Sequence, residues 1–182
     1  MRIVAGELRG RELITPAGDT TRPTAARARE ALFAILKDVS DANVLDVYAG
    51  SGALGLEALS RGAARAVFVE VSKSAQRAIR QNIANLALAE RATLLPVRAE
   101  AALRPLERHG PFTLVFADPP WADAQAALSL LSRFETSSLF APAARLVFEH
   151  AARDAPSLPE NSALRAVDTR RWGDTAVTIF ET

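Results

Sequence analysis

The residues best able to do chemistry lie in three short stretches: Asp118-Pro119-Pro120-Trp121, the run from Asp46 to Gly55, and Glu70. Two consecutive prolines fix φ and remove two N–H donors. The Asp118 loop is thus left with a carboxylate and backbone carbonyls, which are acceptors only. Acceptors converging on one point suit an amino group carrying two N–H donors, and Trp121 is placed to stack on a planar base. The plainer reading is a rigid turn with a capping Asp and a core Trp. The exocyclic nitrogen of a nucleobase is a poor nucleophile, because its lone pair is delocalised into the ring. Hydrogen bonds from its protons to Asp118 and the Pro119 carbonyl would return density to nitrogen and aim the lone pair, so catalysis would be positioning and electrostatics. No covalent intermediate is needed. The chain has no Cys, which excludes the thiol nucleophile used for methylation at C5 of a pyrimidine.

The stretch Asp46-Val-Tyr48-Ala-Gly50-Ser51-Gly52-Ala-Leu-Gly55 carries G-x-G-x-x-G with a strand before it and a helix after it. Gly50 and Gly52 allow a tight turn and close approach of a ligand; Gly55 lets the helix pack on the strand. Tyr48 and Ser51 belong to the same expected cofactor loop. Asp46 precedes the glycines, and its carboxylate is expected at the loop mouth. There it would oppose a pyrophosphate but welcome an ammonium or a sulfonium. Glu70 ends the second strand, 15 residues after Gly55, where an acid accepts hydrogen bonds from both ribose hydroxyls; otherwise it is a surface carboxylate. Val71 follows it. Glu100 and Ala101 stand just after the third strand. Glu100 reads equally as a contact on the adenine side or as the preference of helix N-termini for acids. Together these residues suit S-adenosylmethionine at least as well as NAD.

The elements that position them alternate. Strands are expected at Val44–Tyr48, Ala66–Val71, Thr93–Val97, Phe112–Ala117 and Arg145–Phe148. Helices are expected at Thr24–Lys37, Ser51–Ser60, Lys73–Leu88, Ala99–Glu107 and Ala124–Phe134. Alternating β and α implies a parallel sheet with helices on both faces. Leu164–Trp172 and Thr175–Phe180 flank Gly173-Asp174, the signature of a type II′ hairpin closing the sheet. The fold class is therefore α/β and Rossmann-like, with residues 24–182 as the main domain. Residues 1–23 read as an N-terminal β-hairpin arm, with strands at Arg2–Ala5 and Arg11–Thr15 and turn positions at Gly6 and Gly10.

Composition narrows the choice. A length of 182 residues suits one domain. Without Cys and with two His there is no disulfide framework, and no metal site is expected. Twenty of the 22 basic residues are Arg. Arg favours bidentate phosphate contacts, although the 37 Ala make a GC-rich genome the better reading of composition alone. The N-terminus is not a signal peptide and no run approaches the ~18 apolar residues of a membrane span. A soluble cytoplasmic protein with no membrane partner is expected.

Asp46–Gly55, Glu70 and Asp118–Trp121 resemble the motifs of class I S-adenosylmethionine-dependent methyltransferases acting on exocyclic amino groups. The segments Met1–Gly6, Arg9-Gly10-Arg11, Arg22-Pro23-Thr24, Arg27, Arg29-Glu30, Phe33 and Arg171–Thr175 resemble the RsmD family of bacterial 16S rRNA guanine-N2 methyltransferases. The resemblance spans nearly the whole chain. It implies a mostly parallel seven-stranded sheet with a C-terminal antiparallel hairpin, and S-adenosylmethionine as methyl donor without a metal. It also implies transfer to N2 of one guanine, guanine 966, of 16S rRNA in an assembled or partly assembled small subunit. A monomer is expected on so large a partner. Family members usually carry Asp where Glu100 stands, and many carry Tyr or Phe in place of Trp121 and Trp172.

The arm then acquires a role. Residues 1–29 hold six Arg and three acids, net +3; residues 30–144 hold 11 basic and 12 acidic groups, and residues 145–182 five and six. Arg2, Arg9 and Arg11 are expected on rRNA phosphates, Arg22 and Thr24 near the cofactor or target base, and Arg27 among the RNA-binding residues; a solvated hairpin covering the sheet edge is the alternative. Three other functions compete: an adenine-N6 or cytosine-N4 methyltransferase, a NAD-dependent oxidoreductase, and a non-catalytic RNA-binding factor.

Overall fold

The computed structural model describes residues 1–16 and 23–182, with residues 23–26 described by their backbone alone. Seven strands form one sheet: β1 (Asn43–Val47), β2 (Arg65–Val69), β3 (Ala92–Leu95), β4 (Phe112–Ala117), β5 (Phe140–Ala151), β6 (Arg165–Trp172) and β7 (Thr175–Glu181). Their order is β3-β2-β1-β4-β5-β7-β6; the first five are parallel, and β7 runs antiparallel between β5 and β6. At the hairpin Gly173 has φ +63, and Asp174 is not among the positive-φ residues. These are the signs a type II′ turn requires.

Helices cover both faces. One core packs α4 (Leu103–Glu107) and α5 (Ala124–Thr136) on the sheet through Leu106, Leu128, Leu131 and Phe134. The other gathers Leu32, Phe33 and Leu36 of α1 (Pro23–Leu36), Leu56 and Leu59 of α2 (Ala53–Ser60), and Ile79 of α3 (Lys73–Asn85). No helix among the described residues is long and apolar enough to cross a membrane.

Three elements differ from expectation. The Ala99–Glu107 helix is split into a 3-10 turn, Ala99–Ala101, and α4. Strand β5 starts five residues early, because β4 pairs Phe112 with Phe140 and then Leu114 with Arg145. Pro142 and Ala143 (φ +58) lie in the resulting irregularity. Among the described residues the arm contains a single antiparallel bridge, Arg2 with Glu12, rather than two strands. The backbone groups that would extend a ladder are taken by helix side chains. Val4 and Ala5 N–H donate to Glu57, Leu8 N–H donates to Ser60 Oγ, and Ile14 N–H donates to Asn82 Oδ1. Ile3 and Leu13 are buried in the same core as α1 and α2.

Glu57 is the fastener. It is fully buried, accepts both arm N–H groups at 2.8 and 3.0 Å, and pairs with Arg61 at 2.9 Å and with Arg29 at 3.4 Å. Removing one partner of a buried ion network leaves uncompensated charge. Glu57→Ala is expected to cost about 3 kcal/mol or more in urea unfolding; a loss below about 1 kcal/mol would contradict the role given to it.

Candidate active site

Parallel pairing places several predicted residues in one row. Val47 is opposite Val69 and Ala117, and Ala117 is opposite Phe148. The next residues, Glu70, Tyr48, Asp118 and Glu149, therefore line up across β2, β1, β4 and β5 at the carboxyl ends of the strands, where ligands bind open α/β sheets. A cavity of about 610 Å³ opens there, a size that takes a small organic ligand. Its walls include the predicted Tyr48, Glu70, Val71, Glu100, Asp118, Pro119, Pro120 and Trp121. Val69, Ser72, Val97, Arg98, Ala99 and Asp123 complete them. Asp46, Gly50, Ser51, Gly52, Gly55 and Ala101 do not line it.

Glu70 is held at both oxygens. Oε2 accepts the Gly50 N–H at 2.8 Å and Oε1 the Ser72 N–H at 2.7 Å. Each carboxylate oxygen has two acceptor sites, so one on each oxygen stays available to a ligand in the cavity. Gln76 Nε2 donates to the Glu70 and Val71 carbonyls, fixing the turn between β2 and α3. Val71 beside it is 51% exposed and offers an apolar surface. A ribose on Glu70 with an adenine against Val71 and Val97 fits this end of the cavity.

Asp46 lies elsewhere than the loop mouth. It is buried beneath the loop, and its Oδ2 accepts the Gly55 N–H at 3.0 Å. Burial pushes its carboxyl up to about 8 against the lowering effect of that N–H, and the nearby Asp118 and Glu70 charges add to the rise. Gly55 packs as expected: a Cβ there would meet Phe68 Cε1 at 2.5 Å. Gly52 caps α2 with φ +78, a left-handed conformation. Asn82, also buried, ties the loop to the arm, donating to the Ser51 and Ile14 carbonyls.

Tyr48 adopts φ +60, which is strained for a bulky residue and recurs where a side chain is aimed at a site. Burial, then the Glu100 and Asp123 charges, push its phenol up to about 12, so it keeps its proton. Pro119 is buried while Asp118 and Pro120 are exposed, and Trp121 is 44% exposed at the start of the 3-10 turn Trp121–Asp123. Glu149 had no signature in the sequence, since only strand register brings it beside Asp118. Burial, then the Asp118 charge, raise its carboxyl to about 8.

Arg2, Arg9, Arg11 and Arg27 are not among the residues that line the cavity. The Glu7 N–H donates to Ser60 O at the end of α2, and Arg11 donates to Asn85 O at the end of α3. Both helices start at the cavity end of the sheet, so Arg9 and Arg11 lie one helix length away, roughly 12–20 Å. Arg2 pairs with Glu12 at 2.9 Å. Arg27 is exposed on α1; Arg22 and the Thr24 side chain lie outside the described residues. The basic group on the cavity wall is Arg98.

A family model described as conserved hypothetical protein 95 matches residues 1–181. Over 122 residues the chain is 43% identical to ribosomal RNA small subunit methyltransferase D of Escherichia coli (strain K12). That stretch covers 66% of this chain and 60% of the relative, less than two thirds of its length. The protein of the same name from Haemophilus influenzae is 34% identical over 169 residues, 90% of this chain and 86% of that one. The solved structure of yhhF from Escherichia coli superposes with TM-score 0.82 at 32% identity, covering 100% of this chain and 97% of that chain.

The Glu149 shift has a consequence for stability. Its folded value, about 8, lies above the ordinary 4.5, so between these values the folded chain holds a proton that the unfolded chain has released. Stability contributed by this group is complete below about pH 4.5 and is lost as pH rises toward 8. Asp46 acts with the same sign. Glu149→Gln is expected to flatten part of the fall in urea midpoint between pH 5 and 8.5; an unchanged slope would contradict the assignment.

Proposed function

We propose a function from the premise that this chain belongs to the RsmD family, whose model, conserved hypothetical protein 95, matches it over residues 1–181. The reaction is transfer of a methyl group from S-adenosylmethionine to the exocyclic N2 of guanine 966 in 16S rRNA of the small ribosomal subunit. The substrate is an assembled or partly assembled subunit, met by a monomer in the cytoplasm. One observation carries this reading beyond the family: Asp118 and Trp121 share a single cavity with Glu70. An amino-group acceptor loop thereby faces a ribose-binding carboxylate across one space.

S-adenosylmethionine bound there would supply an electrophilic methyl group on a positively charged sulfur. The chain's own residues do the rest. Glu70 accepts from the ribose hydroxyls, and Val71 and Val97 border the adenine. Trp121 stacks on the target base. Asp118 and the Pro119 carbonyl accept hydrogen bonds from the two N–H groups of the amine and orient its lone pair for transfer. The proton that the amine must shed on methylation leaves toward Asp118 and solvent. Glu149, protonated near neutrality beside Asp118, keeps a further negative charge away from that position. The same loop geometry serves adenine N6 or cytosine N4; family membership favours guanine.

Three substitutions separate these roles. Asp118→Ala is expected to lower kcat by about 10²–10³ in methyl transfer to small subunits. Trp121→Ala should raise the KM for subunits about tenfold, and Glu70→Ala should weaken S-adenosylmethionine binding at least about tenfold in calorimetry. Full transfer by Asp118→Ala would overturn the mechanism.

A further inference from the structure

We propose that a second cleft, formed by Trp121, Arg153 and Arg171, holds the sugar and phosphate of the nucleotide next to the target base, a reading that rests on the RNA methylation proposed above. The cleft measures about 380 Å³ and is lined by Trp121, Ala152, Arg153, Arg171 and Asp174. Trp121 is the wall it shares with the methyl-donor cavity.

The topology builds it. Ala151 at the end of β5 is opposite Thr175 at the start of β7. The Ala152 N–H then donates to the Asp174 carbonyl at 2.8 Å. This bond joins the chain leaving β5 to the turn between β6 and β7, at the same end of the sheet as Asp118. Arg153 arrives on the first segment and Arg171 on the second.

The charges divide the work between the two spaces. The donor cavity carries Glu70, Glu100, Asp118 and Asp123 against Arg98, a setting hostile to a phosphodiester. Beyond Trp121 stand two exposed guanidiniums. Arg2, Arg29, Arg61, Arg91, Arg165 and Arg170 all pair with acids, whereas neither Arg153 nor Arg171 is in an ion pair among the described residues. A guanidinium fork matches phosphate oxygens bidentately. Asp174 is an acceptor in the same cleft. It would repel a lone phosphate but accepts from a ribose 2′-hydroxyl, the group that distinguishes RNA. Two donors for phosphate, one acceptor for a sugar hydroxyl and an aromatic face for the adjoining base together describe one ribonucleotide step. Such phosphate contacts fix register and orientation rather than sequence.

The test uses the full chain and small subunits from cells lacking this protein. Subunit binding, methyl-transfer kinetics and S-adenosylmethionine calorimetry are measured for Arg153→Ala, Arg171→Ala, the double variant and the two Lys replacements. Each Ala variant should raise the subunit KM about tenfold and reduce the slope of log affinity against log salt by about one. S-adenosylmethionine affinity should not change, which also shows that the variants are folded. Lys should restore the salt slope but not the full affinity, because it keeps the charge and loses the fork. An unchanged KM and slope in the double variant would overturn the proposal. So would variants that keep RNA binding but lose an acidic ribosomal protein, which would assign the cleft to a peptide. If the unaltered protein binds subunits and the variants lose that binding, yet none transfers a methyl group, the cleft stands and the methylation reading fails.

Discussion

Asp46, Glu70, Asp118 and Glu149 crowd the carboxyl ends of four adjacent parallel strands, where burial first and mutual repulsion second disfavour charged carboxylates and must be offset. The offsets are visible. Asp46 and Glu149 are raised to about 8 and so remain largely protonated at neutral pH. Glu70 is fastened by two backbone N–H groups from different segments. Asp46 receives the Gly55 N–H. The resulting space is acidic but ordered, suited to a ligand with a positive centre and to an amine offering N–H donors. Phosphate is left to the arginines on the far side of Trp121.

Support for this row comes from distant parts of the chain. Asn82 on α3 holds the glycine loop through Ser51 and the arm through Ile14. Glu57 on α2 holds the arm at Val4 and Ala5. The loop that positions Gly50 against Glu70 is thus braced by the N-terminal segment as well as by its own helix. The arm is part of the scaffold of the site. Its net charge of +3 over residues 1–29 is carried partly by groups already engaged, Arg2 with Glu12 and Arg29 with Glu57. An RNA contact by Arg9 or Arg11 would require the substrate to reach along α2 and α3.

What was legible in the sequence was local. Strand β4 runs over Phe112–Ala117 as expected, because its apolar run ends at the Asp-Pro-Pro turn. Tyr48, Glu70, Val71 and the Asp118 loop meet in one cavity because each directly follows a strand or opens the turn after it, and Glu100 joins them from the 3-10 turn beyond β3. What was hidden depends on register and on buried polar contacts between distant segments. Glu149 is one residue in a long strand, and only the pairing of Ala117 with Phe148 reveals its neighbour. Glu57, Asn82 and Gln76 look like ordinary polar positions on helices; their roles arise from bonds spanning up to 68 residues. Asp46 was expected at the mouth because its place before the glycines was clear, while the capture of its carboxylate by Gly55 was not.

On the proposed function, the row of strand ends presents one exocyclic amine of rRNA to a sulfonium methyl. Nucleoside mass spectrometry of small-subunit rRNA tests it most directly. Subunits from cells lacking the protein are incubated with the purified chain and S-adenosylmethionine, and their rRNA is digested. The expected result is the gain of one N2-methylguanosine per subunit, mapping to guanine 966. Gain of N6-methyladenosine or N4-methylcytidine instead, or no methylated nucleoside at all, would contradict it.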